Sequence, residues 1–222
     1  MKLKILIVLP LLLMSLIGCT TVSVNEMRLT ETDIDPSTEK IVVLGRHHSP
    51  EFETEPELVA CVGNRLERGI DGLDVVPAPQ FRDVMYPWFE PRTAPLQLEK
   101  FGTMLEEPLV RDTLTDMGVR YIVWITGATE QVNEAGSLAC TFSPGGGGCF
   151  GFGTWENESA YEATIWDFTN LTESGRISTD ARGTSYLPAV IIPIPLIARV
   201  QSNACEGMGE QLMAFLSPVA ET

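Results

Sequence analysis

Hydrophobic and polar positions change period several times along this chain, and each change marks an element. Lys40 to Gly45, KIVVLG, is a short continuous apolar run ended by glycine, the pattern of a buried strand. From Pro56 to Arg68 the period becomes helical. Leu58, Cys61, Val62 and Leu66 recur on one face, with Pro56 in the first turn and Gly69 just past the end. LDVVPAPQF, from Leu73, predicts a second strand leading into a short helix around Phe81 to Tyr86. Pro87 to Pro95 carries three prolines and reads as an irregular connection. Pro108 to Met117 predicts another helix. Glu106 and Glu107 at its start complement the helix dipole, and Gly118 follows its end.

The strongest strand signal is RYIVWITGAT. Tyr121 to Thr126 is β-branched and aromatic, and its near-continuous apolar character predicts a central position. Ser137 to Phe142 and Ala160 to Phe168 predict further strands. In the second, Tyr161, Ala163, Ile165 and Asp167 alternate with Glu162, Thr164, Trp166 and Phe168. TNLTESG predicts a turn, and Arg176 to Thr184 the returning strand. Ala204 to Leu216 predicts a last helix, with Cys205, Met208, Leu212 and Phe215 on one face. The order β-α-β-α-α-β-β-β-β-α defines an α+β fold: a mixed sheet with early βαβ units, a late antiparallel meander and a C-terminal helix.

Two segments stand apart. Thr20 to Glu39 is rich in Thr, Ser, Asp and Glu and reads as a flexible tether with a coil reach of about 25 Å. LPAVIIPIPLIARV, Leu187 to Val200, is almost wholly apolar, yet its three prolines oppose both a helix and an interior strand. It is either an extended segment tucked over the core or an exposed loop that meets a partner or the lipid surface. Ile191, Ile192, Ile194 and Leu196 are its candidate interface residues.

The N-terminus changes the picture. Lys2 and Lys4 precede the uncharged stretch Ile5 to Ile17, which is too short to span a bilayer and suits a secretory signal. It ends in Leu16-Ile17-Gly18-Cys19. This resembles the lipobox of bacterial lipoprotein signal peptides, in which cleavage precedes the cysteine and the cysteine is acylated. The resemblance implies residues 1–18 as signal peptide and Cys19 as the lipidated residue; composition and pattern then give 19–39 as tether and 40–222 as a single α+β domain. Thr20, rather than aspartate, after the cysteine implies the outer membrane, facing the periplasm. Several acyl chains would anchor the chain stably.

The formal charge is −15, and loss of Lys2 and Lys4 with the signal makes it more negative. Such a chain lacks the basic face a general nucleic-acid binder needs, and it would not dock on anionic lipid by charge.

Cys140 and Cys149 bracket Gly145 to Gly148. A phosphate-binding loop needs a lysine and Ser/Thr after its glycines, and Cys149 and Phe150 stand there instead. In an oxidising compartment these thiols pair as a disulfide rather than hold zinc or stay free, and the glycines let the closed loop adopt positive φ. Four cysteines remain besides Cys19, which allows three connectivities. Cys140–Cys149 and Cys61–Cys205 is the expected pairing, since Cys61 and Cys205 both lie on apolar helix stripes. No metal site or cofactor is expected. His47 and His48 are adjacent and point apart, and GTSYL at Gly183 lacks the second glycine of a hydrolase elbow.

The layout carries a second resemblance. GVRYIVWITG, the later ATIWDF and SGRIS, with Asp167 and Gly175 placed as in a D…TG turn, and the terminal helix are similar to an envelope superfamily. It includes the curli-secretion lipoprotein, the Pel-polysaccharide lipoprotein, an outer-membrane activator of a penicillin-binding protein and the N-terminal domain of TolB. The resemblance carries over no site residue. The anchor, the tether, the α+β layout and the missing catalytic constellation lead to a non-enzymatic accessory, assembly or regulatory role through an envelope protein partner, with the membrane reached through the lipid anchor. The alternatives are a small-ligand or glycan binder using Trp155, Tyr161 and Trp166, and an envelope hydrolase. Cys19 is expected to be acylated and the protein to partition into detergent with membranes, and Cys19→Ser is expected to change that behaviour. Unchanged partitioning and size in fractionation would refute the lipobox reading.

Overall fold

The computed structural model describes residues 20–49, 52–90, 92–143, 146–193 and 195–217. The signal and Cys19 lie outside them. Strand β1 is Thr20–Arg28, β2 Lys40–Gly45, β3 His47–Ser49 and β4 Phe52–Glu53. Helix α1 is Pro56–Gly69, followed by β5 Asp74–Val76, α2 Ala78–Val84, α3 Leu98–Met104 and α4 Pro108–Asp116. Three long strands follow, β6 Val119–Ser143, β7 Gly146–Asp167 and β8 Thr172–Pro193, and α5 Val200–Leu216 closes the chain.

Six strands form one sheet in the order β1-β8-β7-β6-β2-β5, and β3 pairs with β4 alone. β2 is parallel to both neighbours, with Ile41 opposite Val75 on one side and Tyr121 on the other. Two residues separate β6 from β7 and four separate β7 from β8. Connections that short permit only antiparallel pairing. The fold is therefore α+β with a mixed sheet, as the hydrophobic pattern predicts.

The chain divides into two compact units. The larger, here the body, comprises Val22–Ala128, Ser159–Asp180 and Gln201–Thr222. In it, period-2 alternation sends β2 and β6 side chains to two buried faces. Val42, Leu44, Ile122 and Trp124 meet Phe81, Met85, Phe101, Val110 and Leu114 from α2, α3 and α4. Ile41, Val43, Tyr121, Val123 and Ile125 are buried on the other face, as are Leu58, Val62 and Leu66 of α1 and Met208, Leu212 and Phe215 of α5. The sheet of the body is thus covered by helices on both sides, which explains the continuous apolar runs KIVVLG and YIVWIT. The smaller unit, here the ribbon, comprises Thr129–Glu158 and Ala181–Val200 with Thr20 and Thr21.

Several expectations are corrected. Thr20–Arg28 is not a tether but a strand: alternating Thr, Val and Ser suit a pleated surface, and Ile34 and Thr32 beyond it are buried. Ser137 to Phe142 is no separate strand, because β6 runs on through it without a break. Helix α2 starts at Ala78, where Pro77 and Pro79 preset the first turn, rather than near Phe81. Helix α3 leaves no mark on the pattern, since a seven-residue helix with Gly102 inside it offers only one buried anchor, Phe101.

One ion-pair cluster holds the base of the body. Arg120 donates from Nε and Nη2 to both oxygens of Asp167, at 3.0 and 3.1 Å, and from Nη1 to Glu39 at 2.8 Å. Asp167 also accepts from the backbone N–H groups of Thr169 and Asn170 and from the Asn170 amide. Burial alone would raise the Asp167 carboxyl, but hydrogen bonds from Arg120 and Asn170 outweigh it and hold it below the usual carboxylate range. A lowered folded pKa gives stability that is present above the unfolded value of about 4 and lost as pH falls through the folded one. Asp167→Asn is expected to cost about 3 kcal/mol near neutral pH. The gap to wild type should narrow in strong acid. Denaturant titrations at both pH values check this, and a pH-independent gap would refute it.

Candidate functional site

The sequence-predicted residues fall in different places. Cys61 and Cys205 join α1 to α5 with Cα atoms 6.3 Å apart. The two helices lie side by side there: a Cβ on Gly209 would meet the Arg65 side chain at 2.9 Å. Cys140 and Cys149 are joined across β6 and β7 with Cα atoms 4.0 Å apart, close to the spacing of directly opposed residues in an antiparallel pair. Trp155 belongs to the ribbon, whereas Tyr161 and Trp166 belong to the body, at 3% and 2% exposure. Tyr161 donates its hydroxyl to Glu55, and Trp166 stacks on Phe101 with centroids 5.7 Å apart. Those two aromatics are core, because the body end of β7 is covered on both faces, and they line no open glycan groove. Among the described residues no group of three His, Cys, Asp or Glu is arranged to hold a metal.

The ribbon holds the most distinctive surface. Its sequence carries no Asp, Glu, Lys or Arg between Glu134 and Glu156, and none between Arg182 and Arg199. Ionisable groups return only at its charged margin, where Arg182 pairs with Glu158 and Asn133 donates to Glu156. Within the uncharged stretches large apolar side chains stand in solvent. Phe142 is 84% exposed, Ile192 70%, Ile197 63% and Phe150 60%, and Leu138 and Phe152 are exposed as well. Phe152 lies against Tyr186 with ring centroids 6.1 Å apart.

Close backbone approach shapes this ribbon. Gly136 and Gly151 have φ of +106° and +146°. A Cβ on either would sit 2.1 or 2.2 Å from a carbonyl oxygen of the facing strand. Of the glycine run between the cysteines, Gly146 has positive φ, while Gly147 is needed for space: its Cβ would fall 2.5 Å from the Phe142 ring.

The proline-rich segment divides between the two readings of it. Through Pro193 it is strand, Pro188 included. Thr20, the first described residue of β1, lies beside Gly183. Beyond Pro193 the chain returns, and Leu196 exchanges both backbone hydrogen bonds with Tyr186, at 2.8 and 2.9 Å. Ala189, Ala198 and Val200 are buried, Leu196 is half-buried and Ile192 is exposed. Ile191 belongs to β8, and Ile194 lies outside the described residues.

No known family and no curated protein matches the sequence. Among solved structures, the chain is similar to the PelC dodecamer from Paraburkholderia phytofirmans, at 13% identity over 90% of this chain and 99% of that one, with a TM-score of 0.39. It is similar to a point variant of the same dodecamer at 12% identity over the same shares, with a TM-score of 0.38.

The ribbon disulfide closes a short loop and is expected to contribute about 2.5–3 kcal/mol. Cys140→Ser with Cys149→Ser should increase amide exchange in residues 136–153 and leave exchange in α1 and β2 unchanged. Equal protection of the ribbon in both proteins would refute a stiffening role.

Proposed function

We propose that this chain is a lipid-anchored lipoprotein of the cell envelope, placed at the outer membrane, that acts without catalysis as an accessory or assembly factor. Its working surface is the uncharged ribbon, and its body is the scaffold that carries it. The observation behind this reading is the concentration of exposed Phe and Ile side chains in the stretches that lack every ionised residue. A chain with 30 acidic residues has no shortage of charge with which to solubilise a free surface. Large apolar patches on a surface mark sites that a partner covers, and burying each large side chain contributes roughly 1.5–3 kcal/mol. A surface of this composition therefore gains by being covered by a protein component of the envelope. The lipobox supplies the anchor, and the acidic body keeps the remainder solvated.

Phe142→Ser with Phe150→Ser removes two of the largest exposed groups and touches no core residue. The double variant should unfold at the wild-type midpoint, keep both disulfides and remain with membranes. In cross-linking from intact envelopes it should lose the adducts that the wild-type chain forms. A variant that folds and yields the same adducts at the same level would overturn the proposal.

A further inference from the structure

A second feature lies in the body, at the carboxyl ends of the parallel strands β2 and β5. Crevices in this position are the usual ligand sites of open parallel sheets. Here the crevice is a cleft of about 420 Å³ between α1 and α2. That volume suits a small organic molecule. Its walls are apolar, with Val43, Val59, Val75 and Val76 beside Pro56 and Pro79.

Two arginines line it, Arg46 immediately after β2 and Arg82 on α2, and both also line a smaller adjoining cavity beside Trp124. Arg46 is only 8% exposed. It donates from Nη1 to the Pro95 carbonyl at 2.6 Å, and its guanidinium lies 4.1 Å from the Trp124 ring and 5.2 Å from the Trp166 ring. No carboxylate pairs with it among the described residues. Arg82 likewise makes no ion pair among them. The indole N–H groups of Trp124 and Trp166, both buried, have no acceptor. The cleft thus presents two guanidinium groups that no carboxylate pairs with among the described residues. Burial pushes the Arg46 guanidinium down to about 10, so it remains a cation at neutral pH. A buried, unneutralised cation is costly unless something completes its shell. The one carboxylate among the lining residues, Glu67, is exposed on α1.

We infer that this cleft binds a small amphiphilic anion, its carboxylate or phosphate head held by Arg46 and Arg82 and its apolar body laid along the valine and proline walls. Guanidinium groups match both heads by paired N–H donation. Four probes separate the contributions. Decanoate and decyl phosphate carry the two heads, decanol lacks charge, and inorganic phosphate lacks the apolar body. Tryptophan fluorescence reports occupancy, since the Arg46 guanidinium rests on Trp124.

Titrated into the purified full chain in detergent, decanoate or decyl phosphate should give a saturable change. Decanol and inorganic phosphate should give none at the same concentration. The tighter of the two anions identifies the head. Arg82→Gln, at a partly exposed position, should weaken binding about tenfold or more with an unchanged unfolding midpoint. Arg46→Met should abolish binding, and if that variant fails to fold, Arg82→Gln decides alone. A response to neither anion, an equal response to decanol, or wild-type binding by Arg82→Gln would overturn the inference. None of these results bears on the ribbon, so the two proposals fail separately.

Discussion

The Arg120–Asp167 pair is the contact on which the body depends. It joins the first turn of hydrogen bonding in β6 to the last residue of β7, two positions that the chain separates by the whole length of both strands. Glu39 brings a third segment to the same guanidinium just before β2 begins. The backbone repeats the connection: the Phe168 N–H donates to the Arg120 carbonyl at 2.9 Å, and the Lys40 N–H to the Gly118 carbonyl at 2.7 Å. Because Asp167 also caps the turn into β8, with Leu171 at a positive φ of 50°, one carboxylate sets the pairing of β6 with β7 and the entry of β8. A one-residue slip there would turn every inward side chain of β7 outward.

Much of the body was legible in the sequence because its elements are strongly patterned. KIVVLG and YIVWIT are buried on both faces, which explains their continuous apolar centres, Ile41 to Leu44 and Tyr121 to Ile125. Helix α1 announces itself through Leu58, Val62 and Leu66, and the pairing of Cys61 with Cys205 follows from two apolar helix stripes. β1 was not legible. None of its positions is fully buried, and what fixes it is distant: the neighbouring β8, and the Phe215 carbonyl that accepts from Arg28 and Thr32. The length of β6, β7 and β8 was hidden for a related reason. Their outer residues are glycine, serine and threonine as often as they are apolar. Such a strand persists through pairing with its neighbours rather than through burial, and a single-strand pattern cannot report pairing.

That difference also separates the two candidate surfaces. The ribbon was visible in part, since LPAVIIPIPLIARV and the bracketed glycine run are unusual as written. What the sequence withheld was their convergence. Phe142, Phe150, Phe152 and Tyr186 come from three strands of one unit, and Phe152 meets Tyr186 only through long-range pairing. Arg46 was invisible as a site residue. It reads as the first residue of a polar loop, and only the fold places it under Trp124 and Trp166.

The buried Arg46 and the half-buried Arg120 of the body are treated in opposite ways, and the contrast carries physical weight. Arg120 meets carboxylates on both edges of its guanidinium, and that company strengthens its hold on its proton. Arg46 is more deeply buried, yet it has one carbonyl and two aromatic faces. Cation–π contacts return roughly 0.5–2 kcal/mol each, which falls short of what removing a guanidinium from water costs. A hydrocarbon side chain of similar length would fill the same space between Trp124 and Pro95 without that penalty. Packing therefore does not account for a cation at this position. Charge at the mouth of an apolar cleft does account for it, because an anionic guest would supply the counter-charge that Arg46 lacks among the described residues.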